Sequence, residues 1–398
     1  MKHVKTEILI PGMVVARDVI QDGQLILPKG LTLTDRAIYR LSTYNITDIR
    51  IEDPVGMEVE EIVEESSDIA DVESDNIDAA AEADSVLEAL IGIKDTSKQV
   101  IAEFEEPSHF EKLKASPQFK QFRSDFTENV GELKSTMNDI VEKNVPIDVD
   151  HMIGDTLKII DSQSNTFSVF DMLHNMRDFD DLTFTHSMNV AMICNVFAQW
   201  LKLPEEEVKL ATSCGMLHDI GKLKIEDTII KKPGKLTDTE FKLIQSHPAF
   251  GYHILQNQNI SEHIKLSALE HHEKCDGSGY PMKLTADKID RYAKLVAIAD
   301  VYDAMTADRV YRKGMCPFKV IEIFEEEGLQ KYDVVFIMTF LESVVNTYID
   351  NRVLLSDGRI GTVKWINKQQ LSKPMLQMED GSFLELAKNR ELSIVQIL

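Results

Sequence analysis

Between Val149 and Ile349 apolar residues recur at i, i+3 and i+4, as in SMNVAMICNVFAQWL and KVIEIFEEEGL, which commits this block to packed helices. Eight of the eleven histidines fall between His174 and His272, within this block. Ionisable groups set into apolar helices are costly to bury without partners, so their positions restrict both the packing and the chemistry. His186 sits in FTHSMNV near a helix start. His218 and Asp219 end the apolar stretch VKLATSCGML, and Asp300 ends AKLVAIAD. His247 lies in QSHPAFG, and His271 and His272 lie in ALEHHEKCDGSGYP.

Imidazole and carboxylate together suit a zinc, manganese or iron site, and helices can bring ligands from distant positions to one interior point. Adjacent residues on a helix project about 100° apart. His271 and His272 therefore do not readily share one metal unless the helix ends or distorts there, and suit two neighbouring ions instead. A carboxylate such as Asp219 can bridge two ions, and water shared by such ions loses a proton near neutral pH. Asp303, one turn beyond Asp300, either orients a ligand imidazole or serves as a cap or salt-bridge partner. Isolated His174 and His253 read as ordinary core or surface residues.

The flanks differ in period. Residues 1–53 alternate like strands, with turns at Pro11-Gly12, Asp22-Gly23 and Pro28-Lys29-Gly30 and a short helix capped at Thr34 or Asp35, giving a small α+β module. From Glu52 to Glu88 there are fifteen acids and no Lys or Arg; without that segment the formal charge of -24 falls to -9. Residues 54–94 thus read as a solvated acidic linker and 95–147 as connecting helices. After Asn351 the period becomes two, with Asp-Gly turns at 357–358 and 380–381, so 351–398 should form a small β module. The fold class is mainly α: a helical bundle at 148–350 between these two modules.

The acidic excess gives no global support for binding a nucleic acid polymer or anionic lipid. Arg309, Arg312 and Lys313 in ADRVYRKG supply local cations suited to phosphate, or else form a solvated helix end. Four cysteines without CxxC spacing indicate reduced thiols. No run approaches the roughly 18 apolar residues of a membrane span, and no cleavage site follows the N-terminus, so a cytoplasmic location is expected.

Taken together, HDIGK at 218–222, HPAFG at 247–251, HHEKCDGSGYP at 271–281 and KLVAIADVYDAMTADRVYRKG at 294–314 resemble the HD-GYP family of phosphohydrolases. The resemblance implies an HD-type helical bundle and a metal-dependent phosphodiesterase acting on the bacterial second messenger cyclic di-GMP. It makes His186, His218, Asp219, His247, His271, His272 and Asp300 the ligands of two divalent ions, with Asp219 as the bridge. Iron or manganese is favoured, while zinc, magnesium and nickel remain admissible. Lys222 is similar to the lysine that contacts the substrate phosphate, so Asp219 and Lys222 are the implied catalytic pair. Gly277, Gly279, Tyr280 and Pro281 form the GYP loop, whose glycines permit positive φ and whose tyrosine faces the nucleotide; by itself, DGSG is equally an ordinary turn. Some members carry a glutamate four residues before the first histidine, which helps to hold a third metal. That position is Leu182 here, and Asp178, Asp180 and Asp181 are out of phase with it, so two metals are expected.

The implied mechanism is in-line attack by hydroxide shared between the ions, with Lys222 neutralising phosphoryl charge, yielding pGpG, GMP or both. Three alternatives stand beside it: a catalytically silent cyclic di-GMP receptor, an HD phosphohydrolase for another nucleotide, and a helical interaction protein without metal. Apolar stripes at 148–180 and 330–349 suit either homodimerisation or the core, and the N-terminal module suits a signalling partner.

Overall fold

The computed structural model describes residues 113–162, 166–174, 176, 182–232, 236–307 and 314–398, together with parts of 2–51. The acidic linker expected at 54–94, the aspartates at 178, 180 and 181, and the cations Arg309, Arg312 and Lys313 lie outside the described residues. Two compact units divide the chain at Asn76.

In the first unit β1 (Lys2–Lys5) pairs antiparallel with β4 (Asp48–Ile51), and β2 (Val19–Gln21) pairs with β3 (Gln24–Leu27). Gln21 faces Gln24 across this pair, and the turn expected at Asp22-Gly23 lies outside the described residues. Val15, Ile26, Leu27, Leu33, Leu41, Ile49 and Ile51 form its small core.

Among the described residues of the second unit, the first long helix is α1 (Pro117–Lys143). Ser116 accepts a bond from Phe119 N, Pro117 fills the first helical position, and Asn144 closes the helix in the left-handed region at φ 52°. One stripe of this long helix is buried: Phe119, Phe122, Phe126, Val130, Leu133, Met137 and Ile140. There follow α2 (Val149–Asp161), α3 (Thr166–His174), α4 (Leu182–Trp200) and α5 (Glu205–Leu217). Next come α6 (Asp238–Ile244), α7 (His247–Leu255), α8 (Glu262–Glu270) and α9 (Arg291–Thr306), then α10 (Pro317–Ile323) and α11 (Val334–Thr347). The middle of this set is mainly helical as its period dictates. From Tyr292 to Met305 only Lys294 of α9 is not buried, so this helix runs through the core and carries Asp300 and Asp303 inside it. The apolar stripes of α2 and α11 also turn inward, burying Ile153, Ile159 and Ile160 on one and Ile337, Phe340, Leu341 and Val344 on the other.

Helices α4 and α5 touch closely at Gly215, where an added Cβ would lie 2.9 Å from both Cys194 Sγ and the Val190 carbonyl oxygen. After α5 the chain tightens into a 3-10 turn, Ile220–Lys224, pressed on the start of α7. A Cβ on Gly221 would collide with the His247 carbonyl, so the glycine of HDIGK fixes the approach of His247 to His218 and Asp219.

The chain ends in a five-stranded antiparallel sheet built from β5 (Arg352–Leu355), β6 (Ile360–Trp365), β7 (Met375–Met378), β8 (Phe383–Glu385) and β9 (Ile394–Ile397), in the order β8-β7-β6-β5-β9. Gly358 and Gly381 take φ 86° and 82° in the Asp-Gly turns. Glu325, in the π-helical turn Phe324–Gly328, ties sheet to helices by accepting from Leu371 N at 2.7 Å and from Ser372 N and Oγ at 3.1 and 2.6 Å. Glu325→Ala would strand these donors and is expected to cost about 2 kcal/mol, given that hydrogen bonds to charged groups contribute roughly 1.5–3 kcal/mol. A lowered urea midpoint with an unchanged m-value would register it.

Candidate metal centre

His218, Asp219, His247, His271 and His272 sit where helices stop or start, whereas His186 and Asp300 lie within α4 and α9. Helix α5 ends at Leu217, His218 is its C-cap, and Asp219 takes φ -99° and ψ 9° before the 3-10 turn. Helix α7 opens on His247, with Pro248 behind it. Helix α8 stops at Glu270, where Glu273 N bonds back to the Glu270 carbonyl. That stop changes the expectation for His271 and His272. They are not spread around a continuing helix, and both bring a nitrogen into one group with His247, all within 4.8 Å. The Gly/Pro-rich sequence CDGSGYP, which cannot continue the helix, was the signal for it.

Three histidines are anchored by main-chain carbonyls. His218 Nδ1 lies 2.7 Å from Gly215 O, His247 Nδ1 2.7 Å from Ile244 O, and His271 Nδ1 3.0 Å from Ser267 O. A carbonyl only accepts, so each Nδ1 carries the proton and each Nε2 presents a lone pair. The His247 and His271 Nε2 atoms then face each other at 3.1 Å. Two lone pairs at that distance repel unless they share a cation.

Asp219, 1% exposed, lies between the imidazoles. Its Oδ1 is 3.3 Å from His247 Nε2 and 3.7 Å from His271 Nε2. Its Oδ2 is 3.4 Å from His218 Nε2, 3.7 Å from His186 Nε2 and 2.7 Å from Lys222 Nζ. The carboxylate therefore presents one oxygen to the His247–His271–His272 group and the other to a second group, His186, His218 and Asp300. In that second group His186 Nε2 lies 2.9 Å from Asp300 Oδ1, and Asp303 Oδ2 holds His186 Nδ1 at 2.7 Å. Buried His218 Nε2 and Asp219 Oδ1 have no hydrogen-bond partner among the described residues. Orphaned lone pairs on an imidazole and a carboxylate fit coordination of a divalent cation.

Protonation favours the same use at His218, Asp219, His271, His272 and Asp300, but not at His186. Burial pushes His218 below the ordinary imidazole value and His271 and His272 well below it, so they are neutral. Burial opposes ionisation of Asp219, but Lys222 and the surrounding imidazoles outweigh it and hold the carboxyl well below its usual range. Asp300 is likewise held low against burial, chiefly by His186. His186 is pushed up to about 9, because bonds to Asp300 and Asp303 overcome its burial. Neutral imidazoles and ionised carboxylates are the forms that bind metal, so His186 must give up its Nε2 proton to serve as a ligand, whereas His218, His271 and His272 need not.

The GYP loop lies against this centre. The Tyr280 ring stacks on His272 with centroids 4.7 Å apart, and Pro281 follows at the exposed rim. Gly277 takes φ 79°. Gly279 does not have positive φ; its requirement is space, since an added Cβ would run into the backbone of residues 272–274. Glu273, which sequence reasoning passed over, accepts from Met282 N at 2.6 Å and Leu284 N at 2.8 Å and so clamps the loop's exit. Its place beside the histidine pair was the available hint. His253 is a surface residue bonded to Gln256.

Residues 153–335 match the HD domain family. The chain is 35% identical over 207 residues to a cyclic di-GMP phosphodiesterase of Pseudomonas aeruginosa, covering 52% of this chain and 50% of that protein. It is 42% identical over 125 residues to the cyclic di-GMP phosphodiesterase response regulator RpfG of Xanthomonas campestris, covering 31% and 33% of the two. With 3'3'-cGAMP-specific phosphodiesterase 1 of Vibrio cholerae it shares 40% identity over 145 residues, covering 36% and 34%. The chain thus spans half or less of the length of these relatives. Among the described residues no helix is long and apolar enough to cross a membrane.

Asp219→Ala removes the group common to both clusters and should abolish uptake of divalent metal, read by elemental analysis of the folded variant. The depressed histidines fix the sign of the pH dependence: they stay neutral as pH falls through about 6.5, where a free imidazole half-protonates. Measured against a chelator, the equivalent held with His271 and His272 is expected to persist through that pH and to collapse only in stronger acid, while the equivalent held with His186 weakens as pH falls through about 9. A midpoint at about 6.5 would contradict the assignment.

Proposed function

We propose that this chain is a metal-dependent phosphodiesterase that hydrolyses cyclic di-GMP to pGpG, GMP or both. The observation that carries the reading is the division of the buried Asp219 carboxylate between two histidine groups. His186, His218 and Asp300 would hold one divalent ion, His247, His271 and His272 the other, and Asp219 would serve both. Such ions would supply Lewis acidity toward a phosphodiester and lower the pKa of water at the site. Iron or manganese suits this mixed nitrogen and oxygen donor set better than a closed tetrahedral zinc site does.

Lys222 places an ammonium 2.7 Å from Asp219 Oδ2 while staying partly exposed, so it can neutralise a phosphoryl oxygen beside the carboxylate. Tyr280, fixed by its stack on His272, offers an aromatic edge to a nucleotide, and Gly277, Gly279 and Pro281 shape the loop that carries it. Arg309, Arg312 and Lys313 are proposed to add phosphate contacts. The relatives named as cyclic di-GMP phosphodiesterases support this substrate, while those named as 3'3'-cGAMP-specific favour a second reading in which the other cyclic dinucleotide is preferred.

The deciding experiment is anaerobic incubation of Fe(II)- or Mn(II)-loaded protein with cyclic di-GMP, 3'3'-cGAMP and linear mononucleotides, with products resolved by chromatography. Cyclic di-GMP is expected to be cut fastest, and Lys222→Ala to reduce turnover by 10-fold or more, about 1.4 kcal/mol. Binding without cleavage under every metal would sink the enzyme reading in favour of a receptor. Preferential cleavage of 3'3'-cGAMP would transfer the assignment to that substrate.

A further inference from the structure

His186 differs from the other anchored histidines. His218, His247 and His271 lean on main-chain carbonyls three or four residues before them, whereas the Nδ1 of His186 is held by a side chain, Asp303 Oδ2, from a distant helix. The second oxygen of that carboxylate, Oδ1, accepts from Asn189 Nδ2 at 3.0 Å. Asn189 is three residues past His186 on α4, and Asp303 is three past Asp300 on α9, so two facing helices each present a pair one turn apart. Asn189 and Asp303 are 7% and 6% exposed, and solvent therefore does little to hold either in place.

From this ladder we infer that Asn189 is a positioning residue for His186, acting through Asp303, and that it sets how tightly the His186–His218–Asp300 group holds its cation. The inference rests on the metal-centre reading above and extends it to a residue that touches no ligand atom of either group. With the amide in place, both oxygens of Asp303 are engaged and its carboxylate plane is fixed. The Nδ1 proton of His186 is then directed, and Nε2 faces Asp300. Without the amide, Asp303 Oδ1 is a buried charged acceptor lacking that donor, and the carboxylate relaxes by rotation or by admitting water. Either movement loosens His186 and leaves the three carbonyl-anchored histidines untouched. The two metal positions are thereby made unequal, since one is held through a replaceable side-chain relay.

The test titrates metal-free full-length protein with Mn(II) against a chelating dye. Wild type should take two equivalents. Asn189→Ala should weaken one equivalent by about 10-fold, the lower range for groups that orient metal ligands, and leave the other unchanged. Asp303→Ala should weaken the same equivalent, and the double variant should be no weaker than Asp303→Ala alone, because Asn189 acts through that residue. Asn189→Ser, a smaller change that keeps a hydroxyl donor, should fall between wild type and Asn189→Ala and provides the measurement if the alanine variant does not fold. Equal weakening of both equivalents, no weakening in either Asn189 variant, or additivity in the double variant would overturn the inference. A wild-type chain that takes up no Mn(II) would remove the metal-centre reading itself, whereas a two-site wild type with unaltered Asn189 variants removes only the inference.

Discussion

An ionised carboxylate in the core is the constraint around which the helical unit is organised. Asp219 is almost wholly removed from water, and burial of an isolated charge costs far more than any single apolar contact returns. The chain meets that cost by ringing the residue with imidazoles from four separate elements and one ammonium. Bringing those groups together determines where α5 and α8 stop, where α7 starts and why Gly221 has no side chain. The site is therefore inseparable from the packing of the bundle.

Much of this was legible in the sequence. The 3.6-residue period announced the helices, and histidines and aspartates at the ends of apolar runs marked buried polar groups requiring partners. What could not be read was the angle between neighbours. A continuing helix would have pointed His271 and His272 in different directions, but the stop at Glu270 brings both into one group with His247. Gly277 and Gly279 looked alike as flexible positions; only packing separates the one with positive φ from the one that needs room. Glu273 and Asn189 escaped notice because their partners are a backbone loop and a residue 114 positions away, and local sequence carries neither relation.

Loop and centre also form one mechanical piece. Tyr280 rests on His272, while Glu273, the next residue, grips the amides of Met282 and Leu284. The same short segment thus presents a candidate metal ligand, its ring-stacking neighbour and the clamp on the loop. A shift in the loop would be transmitted to the imidazole within a single peptide of its source.

The main-chain anchoring of His218, His247 and His271 bears on how such a site can change over generations. A carbonyl belongs to every residue type, so drift at positions 215, 244 and 267 alters volume without deleting the acceptor. Imidazole orientation is thereby insulated from most substitutions around it and is inherited with the fold. Loss of chemistry in descendants of such a chain would come as a step, through replacement of a histidine or aspartate, more often than as a slow decline.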